Sequence, residues 1–391
     1  MPPTARDSRL DLIRLIAFIL LIGCHACDPF NAAATYGSGI PNPEFTRWGA
    51  VWGAVVRPCV PLFVMLTGAL LLGRTSHVES GFPSQGIAMG SFYRKRIPRV
   101  LWPFLIWGAA YYLLPWLLGI LGYGPEVVSL FFPWAETTSQ SLSTALGRLV
   151  RLPYHFSYVA CHLWYIYMLV GLYLYLPVFD AWVERSSVRQ QRGFLLLWSA
   201  STFLPYLSEF GTPYHFGTCD WNQFGLFYYF AGFSGYLLLG HHLYRHVPMS
   251  LPLSLAVAVP LFSIGYVVNL WGYRHILSLP APTPQQVELF WTYCTPNVLL
   301  MSAALFLVLL RLPVRRPLSV RLLSSLTCCG FGIFMIHYFF VGPTFRWVEG
   351  WCSPVSLRIP LAALFIFVES WSVVALLRAL LGKRVGRIVF G

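Results

Sequence analysis

Asp11, Arg14 and His25 stand inside the first long apolar run of the chain. Ionisable side chains are costly in a bilayer and by default mark a site facing a bundle interior or a water-filled cavity. On an ideal helix Arg14 and His25 differ by only about 20° of rotation and lie about 16 Å apart along the axis. Asp11, one turn before Arg14, falls on the same face and can pair with it. An uncharged imidazole can exchange a proton near neutral pH, so His25 is a candidate for proton transfer, with Asp11 placed to orient Arg14. The plainer alternative is that Asp11 and Arg14 anchor the helix at the interface while His25 satisfies a backbone group.

Arg96 and Arg99 follow the same logic of spacing. They stand one helical turn apart just before another apolar run, so both can reach one anion if the turn is helical, although a cluster of this kind also serves as plain topology signal. Arg57, His162, His337 and Glu369 are further polar residues within apolar runs, and Glu369 needs a partner there. Trp164, Tyr165 and Tyr228 could stack on a sugar or belong to an interfacial aromatic belt. The Cys24-His25-Cys27-Asp28 run has metal-capable side chains, but neighbouring helical positions point apart and no matching second pair follows, so no metal is expected.

The elements that must position these residues are membrane helices. Of 391 residues 57% are hydrophobic, 17% aromatic and only 10% charged, against roughly a quarter charged in a soluble domain. The net charge of +13 would suit a nucleic-acid binder, but this composition leaves no soluble basic face, so nucleic acid is excluded as a partner and the lipid bilayer takes its place. Apolar runs of spanning length recur near 11–28, 50–73, 100–121, 158–179, 193–209, 222–240, 251–271, 288–310, 325–345 and 357–378. The expected fold is therefore an all-α polytopic membrane bundle of about ten transmembrane helices, with 1–391 as a single domain. With both termini cytoplasmic, most of the 27 basic residues fall in inner segments, among them Arg6, Arg74, Arg94, Lys95, Arg189, Arg315, Arg316, Lys383 and Arg384. The longest outer loops are expected near 29–49 and 122–157. Leu21-Ile22-Gly23-Cys24 imitates a lipoprotein cleavage box, but cleavage there would discard Asp11 and Arg14. The nine cysteines form no framework; Cys219, Cys294 and Cys352 could pair in or near outer loops, and Cys328 and Cys329 belong in a helix.

Several segments resemble the acyltransferase family 3 integral membrane proteins, which acylate sugars of cell-envelope and exported polysaccharides. Arg9-Leu10-Asp11-Leu12-Ile13-Arg14 followed by His25 resembles the family's first-helix signature, an arginine and a histidine separated by ten residues. Val60-Pro61-Leu62-Phe63-Val64-Met65-Leu66-Thr67-Gly68 resembles its VPLFFMLSG segment, with Thr67 in place of Ser, and Arg96-Ile97-Pro98-Arg99 fits its cytoplasmic arginine pair. His162-Leu163-Trp164-Tyr165 resembles HLWYL, and Gly332-Ile333-Phe334-Met335-Ile336-His337 resembles GIYLIH. Leu15 departs from the glycine that many members carry after the arginine. Nothing like an attached esterase-type domain is expected.

The resemblance implies an O-acetyltransferase type of enzyme in the inner (plasma) membrane. The donor would be cytosolic acyl-coenzyme A, acetyl above all, and the acceptor a hydroxyl on a polysaccharide or lipid-linked glycan, with no metal. Arg96, Arg99 and Arg14 would hold the anionic coenzyme, His25 with Arg14 and Asp11 would form the catalytic stripe, and Trp164, Tyr165, His162, His337 and Glu369 would line the substrate. A polysaccharide-synthesis complex or a homo-oligomer is an expected partner. The alternative from another class is a secondary transporter or glycan flippase using the same His, Arg and Glu residues as a relay.

Overall fold

A computed structural model describes residues 7–31, 42–73, 88–132, 139–212, 214–314 and 317–391, with side chains from 320 onward in the last segment. Arg6, Arg74, Arg315 and Arg316, and much of the expected outer loop at 29–49, lie outside the described residues. Within them the chain is all-α, with no strand. In chain order the helices are α1 (Ser8–Ala26), α2 (Pro43–Val56), α3 (Cys59–Leu71), α4 (Met89–Ile120), α5 (Pro125–Phe131), α6 (Leu142–Arg151), α7 (Trp164–Arg185) and α8 (Val188–Ser201). They continue as α9 (Leu204–Phe210), α10 (Ser234–His246), α11 (Leu251–Leu277), α12 (Pro284–Glu288), α13 (Pro296–Leu309), α14 (Pro317–Ile336), α15 (Tyr338–Trp351) and α16 (Val355–Phe390).

Among the described residues 7 helical segments are long and apolar enough to cross a membrane, or 8 if the bent pair Val320–Ile336 and Tyr338–Trp351 is one span. These coincide with eight of the ten expected runs. The other two carry no continuous helix of that length. In 193–209, α8 stops at Ser201 and α9 restarts at Leu204 with Pro205 in its first turn, where a missing N–H costs nothing. In 222–240 the apolar signal comes largely from Phe224, Phe227, Tyr228, Tyr229 and Phe230. Gly225 and Gly232, at φ +50° and +91°, turn the backbone before α10 can start at Ser234. The expected outer loop at 122–157 contains the short helices α5 and α6.

The chain forms two compact units. One comprises Met1–Leu21, Gly53–Ala88 and Tyr175–Ser324. Within it α3 and α10 meet backbone to backbone: a Cβ on Gly68 would overlap the Leu237 carbonyl, and one on Gly240 would overlap the Met65 carbonyl. This contact explains the glycine that closes the Val60–Gly68 segment. A buried polar knot links α11 and α13, where Asn297 donates to Asn269 and to the Phe290 carbonyl (2.7 Å), and Asn269 donates to the Ala54 carbonyl (3.2 Å). Arg57 lies over the Trp291 ring at 4.1 Å, and Trp291 stacks on Tyr273 at 3.7 Å.

The second unit comprises Ile22–Trp52, Met89–Leu174 and Ser325–Gly391. Its core includes Tyr111 stacked on Phe339 at 3.9 Å. Trp107 donates to the Val389 carbonyl at 2.9 Å, and a Cβ on Gly342 would overlap the Leu130 carbonyl. Cys328 and Cys329 lie on α14 as expected, and Cys219, Cys294 and Cys352 are free thiols.

Gly68→Ala should destabilise the chain by about 1 to 3 kcal/mol, the usual cost of forcing an atom into a closed contact. Gly147→Ala, where an added Cβ meets nothing within 4 Å, should leave stability unchanged or slightly raised. Thermal unfolding of the two purified variants in one detergent checks both.

Candidate active site

Three interruptions of helical backbone create the site, and all of its residues belong to the second unit. The first is the end of α1 at Ala26, after which Cys27 breaks the regular pattern and a further turn carries Asp28. A 3-10 turn, Tyr158–Leu163, precedes α7, and its Ala160 has the non-helical pair φ −133°, ψ 54°. Between α14 and α15 the chain bends by 85° at His337. Non-helical backbone at membrane depth persists only where it is buried in protein or lines a cavity, because each freed N–H and C=O needs a partner.

His337 supplies part of that requirement. Its Nδ1–H donates to the Phe334 carbonyl at 2.8 Å and faces the Ile333 carbonyl at 3.2 Å, covering groups left over by the end of α14. The uncharged ring then offers Nε2 only as an acceptor, and that fully buried nitrogen has no hydrogen-bond partner. His162, 1% exposed, has no partner of hydrogen-bonding geometry at either nitrogen. The Met335 carbonyl accepts from the Tyr111 hydroxyl at 2.9 Å.

His25 completes a triangle of imidazoles. Its ring centroid is 5.2 Å from that of His337 and 6.3 Å from that of His162, which are themselves 5.2 Å apart. Tyr338 closes the group, edge-on to His25 at 5.2 Å and stacked against His162 at 5.1 Å. The Nδ1 of His25 lies 3.0 Å from Oδ2 of Asp28, one turn onward. This is the arrangement of a general base: a carboxylate accepts from Nδ1–H, holds the ring, and stabilises the charge that appears when Nε2 takes a proton. Sequence reasoning missed Asp28 as the partner, although its spacing of three from His25 was the same signal that paired Asp11 with Arg14.

The metal-capable run also needs correction. Its members do not all point apart: His25 and Asp28 meet, and Cys161 from the 3-10 turn brings a third ligand-type atom, all three within 4.8 Å of one another. Cys161 carried no signal in the sequence beyond standing next to His162.

The other expected residues divide. Arg14 donates to Asp11 at 3.0 Å on α1, as the spacing required, and both belong to the first unit. Arg96 and Arg99 lie on one face of α4, which is helical through Pro98; Arg96 is half-buried and Arg99 exposed. Glu369 has the partner it needed, the Thr344 hydroxyl donating at 2.6 Å. Tyr165 packs on Phe334 at 5.4 Å and Trp164 on Tyr165 at 6.3 Å, so these aromatics adjoin the imidazole cluster through Phe334. Tyr228 is half exposed in the segment before α10.

A helical bundle of this apolar composition, with buried imidazoles, a carboxylate and a thiol gathered at broken helices, is a multi-pass membrane protein with a site equipped for proton transfer. The chain belongs to acyltransferase family 3: the family model, described as an acyltransferase domain, matches residues 7–377. It is thus a membrane acyltransferase. No curated protein and no solved structure matches it.

Asp28→Asn should lower acyl-transfer turnover by between about 10-fold and 10,000-fold, bounded by what a general base contributes, while leaving the protein monodisperse. Steady-state rates beside size-exclusion profiles check this; an unchanged rate would remove Asp28 from the site's chemistry.

Proposed function

We propose that this membrane acyltransferase moves an acetyl or similarly small acyl group from cytosolic acyl-coenzyme A to a hydroxyl of a cell-envelope or exported polysaccharide sugar. The observation that carries the reading is the His25–Asp28 pair at 3.0 Å, set among two further buried imidazoles in a chain of this family. His25 Nε2 takes the proton of the attacking hydroxyl as its oxygen adds to the thioester carbonyl. The proton passes to the leaving sulfur as the tetrahedral species collapses. Asp28 holds the ring through both transfers. His337 and His162, with a buried acceptor and an unsatisfied ring respectively, hold hydroxyl groups of the acceptor. Such groups are costly when empty and rewarded when a ligand supplies the partner.

Arg96 and Arg99 hold the anionic coenzyme at the inner mouth, and Arg14, fixed by Asp11, is the further basic residue on the helix that carries His25. The enzyme works as an O-acetyltransferase in the inner membrane, with one family model spanning both compact units as support for a single functional domain. It requires no metal, and it acts beside, or as part of, the machinery that presents the glycan.

The arginine-rich segments support cytoplasmic termini and ten crossings, two of them by segments only partly helical. Cysteines placed near 37 and 140 should label from outside and those near 85 and 318 from inside; labelling at 85 from outside would overturn this topology and the cytosolic donor with it.

Donor binding and chemistry should separate in kinetics. His25→Ala should reduce kcat by about 100- to 10,000-fold with the donor KM held. Arg96→Gln with Arg99→Gln should instead raise the donor KM, each lost charged hydrogen bond costing about 1.5 to 3 kcal/mol and the exposed Arg99 lying at the lower end. Purified protein in nanodiscs, assayed with acetyl-coenzyme A, distinguishes the two. Near-normal turnover in His25→Ala would overturn the assignment of the base.

A further inference from the structure

The mechanism above uses His25 and Asp28 but leaves Cys161 without a role. Its sulfur belongs, with an imidazole nitrogen of His25 and a carboxylate oxygen of Asp28, to a set of atoms all within 4.8 Å of one another, and no other group of three or more such residues occurs among the described residues. A thiol, an imidazole and a carboxylate gathered this closely are the three kinds of group that covalent acyl transfer uses as nucleophile, base and orienter.

Accessibility separates these three from what surrounds them. The His25 and Asp28 side chains are each 13% exposed, and Cys161 is likewise half-buried. His337, Tyr338 and Tyr111 around them are 0% exposed and His162 1%. The three candidate reactive groups are therefore more accessible than the rings packed around them.

We propose that Cys161 is a catalytic nucleophile that carries the acyl group between donor and acceptor. This rests on the acyl-coenzyme A-dependent transfer proposed above. In the first half-reaction His25 takes the Cys161 thiol proton as Sγ adds to the donor carbonyl. The bond from carbonyl carbon to coenzyme sulfur breaks, the proton goes to that sulfur, and an acyl-thioester on Cys161 remains. In the second, an acceptor hydroxyl adds to the same carbonyl, His25 takes its proton, the bond to Sγ breaks, and the proton returns to Sγ. No electrons change hands. Exchange of one thioester for another is close to neutral in free energy, so the carrier costs little. It also lets a cytosolic donor leave before an acceptor from the other side arrives, which a membrane enzyme with substrates on opposite faces can exploit.

The test uses the full chain in nanodiscs with radiolabelled acetyl-coenzyme A and no acceptor. Wild type should release a burst of about one coenzyme A per chain. Peptide mapping should find the label on Cys161, released by neutral hydroxylamine as a thioester is. Cys161→Ala should show no label and turn over at least about 1,000-fold more slowly. Cys161→Ser, nearly isosteric, should remain monodisperse and hold any label as an oxygen ester that resists neutral hydroxylamine. The proposal is overturned if monodisperse Cys161→Ala or Cys161→Ser transfers at the wild-type rate, or if the label sits on His25 or nowhere while His25-dependent transfer continues. It is equally overturned if the protein retains stoichiometric zinc that Cys161→Ala loses, since a metal-bound thiolate is no carrier. A wild type that neither exchanges nor consumes acetyl-coenzyme A or longer acyl-coenzyme A donors would overturn the proposed function itself, and this proposal with it.

Discussion

A backbone that leaves the helix inside a membrane must find partners for the N–H and C=O groups it releases, and that requirement organises this protein. At the 85° bend between α14 and α15 the partner is a side chain, His337, whose Nδ1 serves the carbonyls of Phe334 and Ile333. Satisfying the backbone fixes the ring's tautomer and orientation, and so commits its second nitrogen to face the cluster as an acceptor. The structural need and the chemical opportunity are met by one residue. The same holds at the 3-10 turn before α7, where the break that spoils a helix places Cys161 and His162 side by side against α1's end.

Elsewhere several polar groups in apolar surroundings are neutralised locally. Asp11 with Arg14, Glu369 with Thr344, Arg57 with the Trp291 face and the Gly53 carbonyl, and Asp180 with the Gly73 amide at 2.8 Å are each held by a specific contact. Such contacts lower the cost of carrying charge and polarity in a bundle and hold helices in register. The imidazole cluster differs: three rings within about one ring's width of each other leave a buried acceptor on His337 and an unserved ring at His162. A buried acceptor and an unserved ring side by side are costly when empty and rewarded when a ligand supplies the partner.

Much of this was legible beforehand. Composition and run length dictate membrane helices because nothing else hides so much apolar surface with so few charges, and helical periodicity alone put Asp11 against Arg14 and Arg96 beside Arg99. Run length did not foresee the broken helix where aromatics raise the hydropathy of 222–240, since apolarity does not prevent Gly225 and Gly232 from turning the chain. Periodicity also reached the residues of the base without recognising their relation: Asp28 is one turn from His25, but a run of mixed metal-type residues concealed the pair.

The sequence by itself thus determined the membrane class and the helical faces, because these depend on composition and on neighbours three or four residues apart, and its motifs carried the family. Only the tertiary structure decided that His25, Cys161, His162 and His337 share one site. Those residues are brought together by a bend, a 3-10 turn and a helix end, and the packing that stabilises such breaks is made by contacts distant in the chain, such as Tyr111 on Phe339 and Gly342 on Leu130. No spacing rule encodes a meeting of that kind, because the rise and turn of a helix predict positions only while the helix continues.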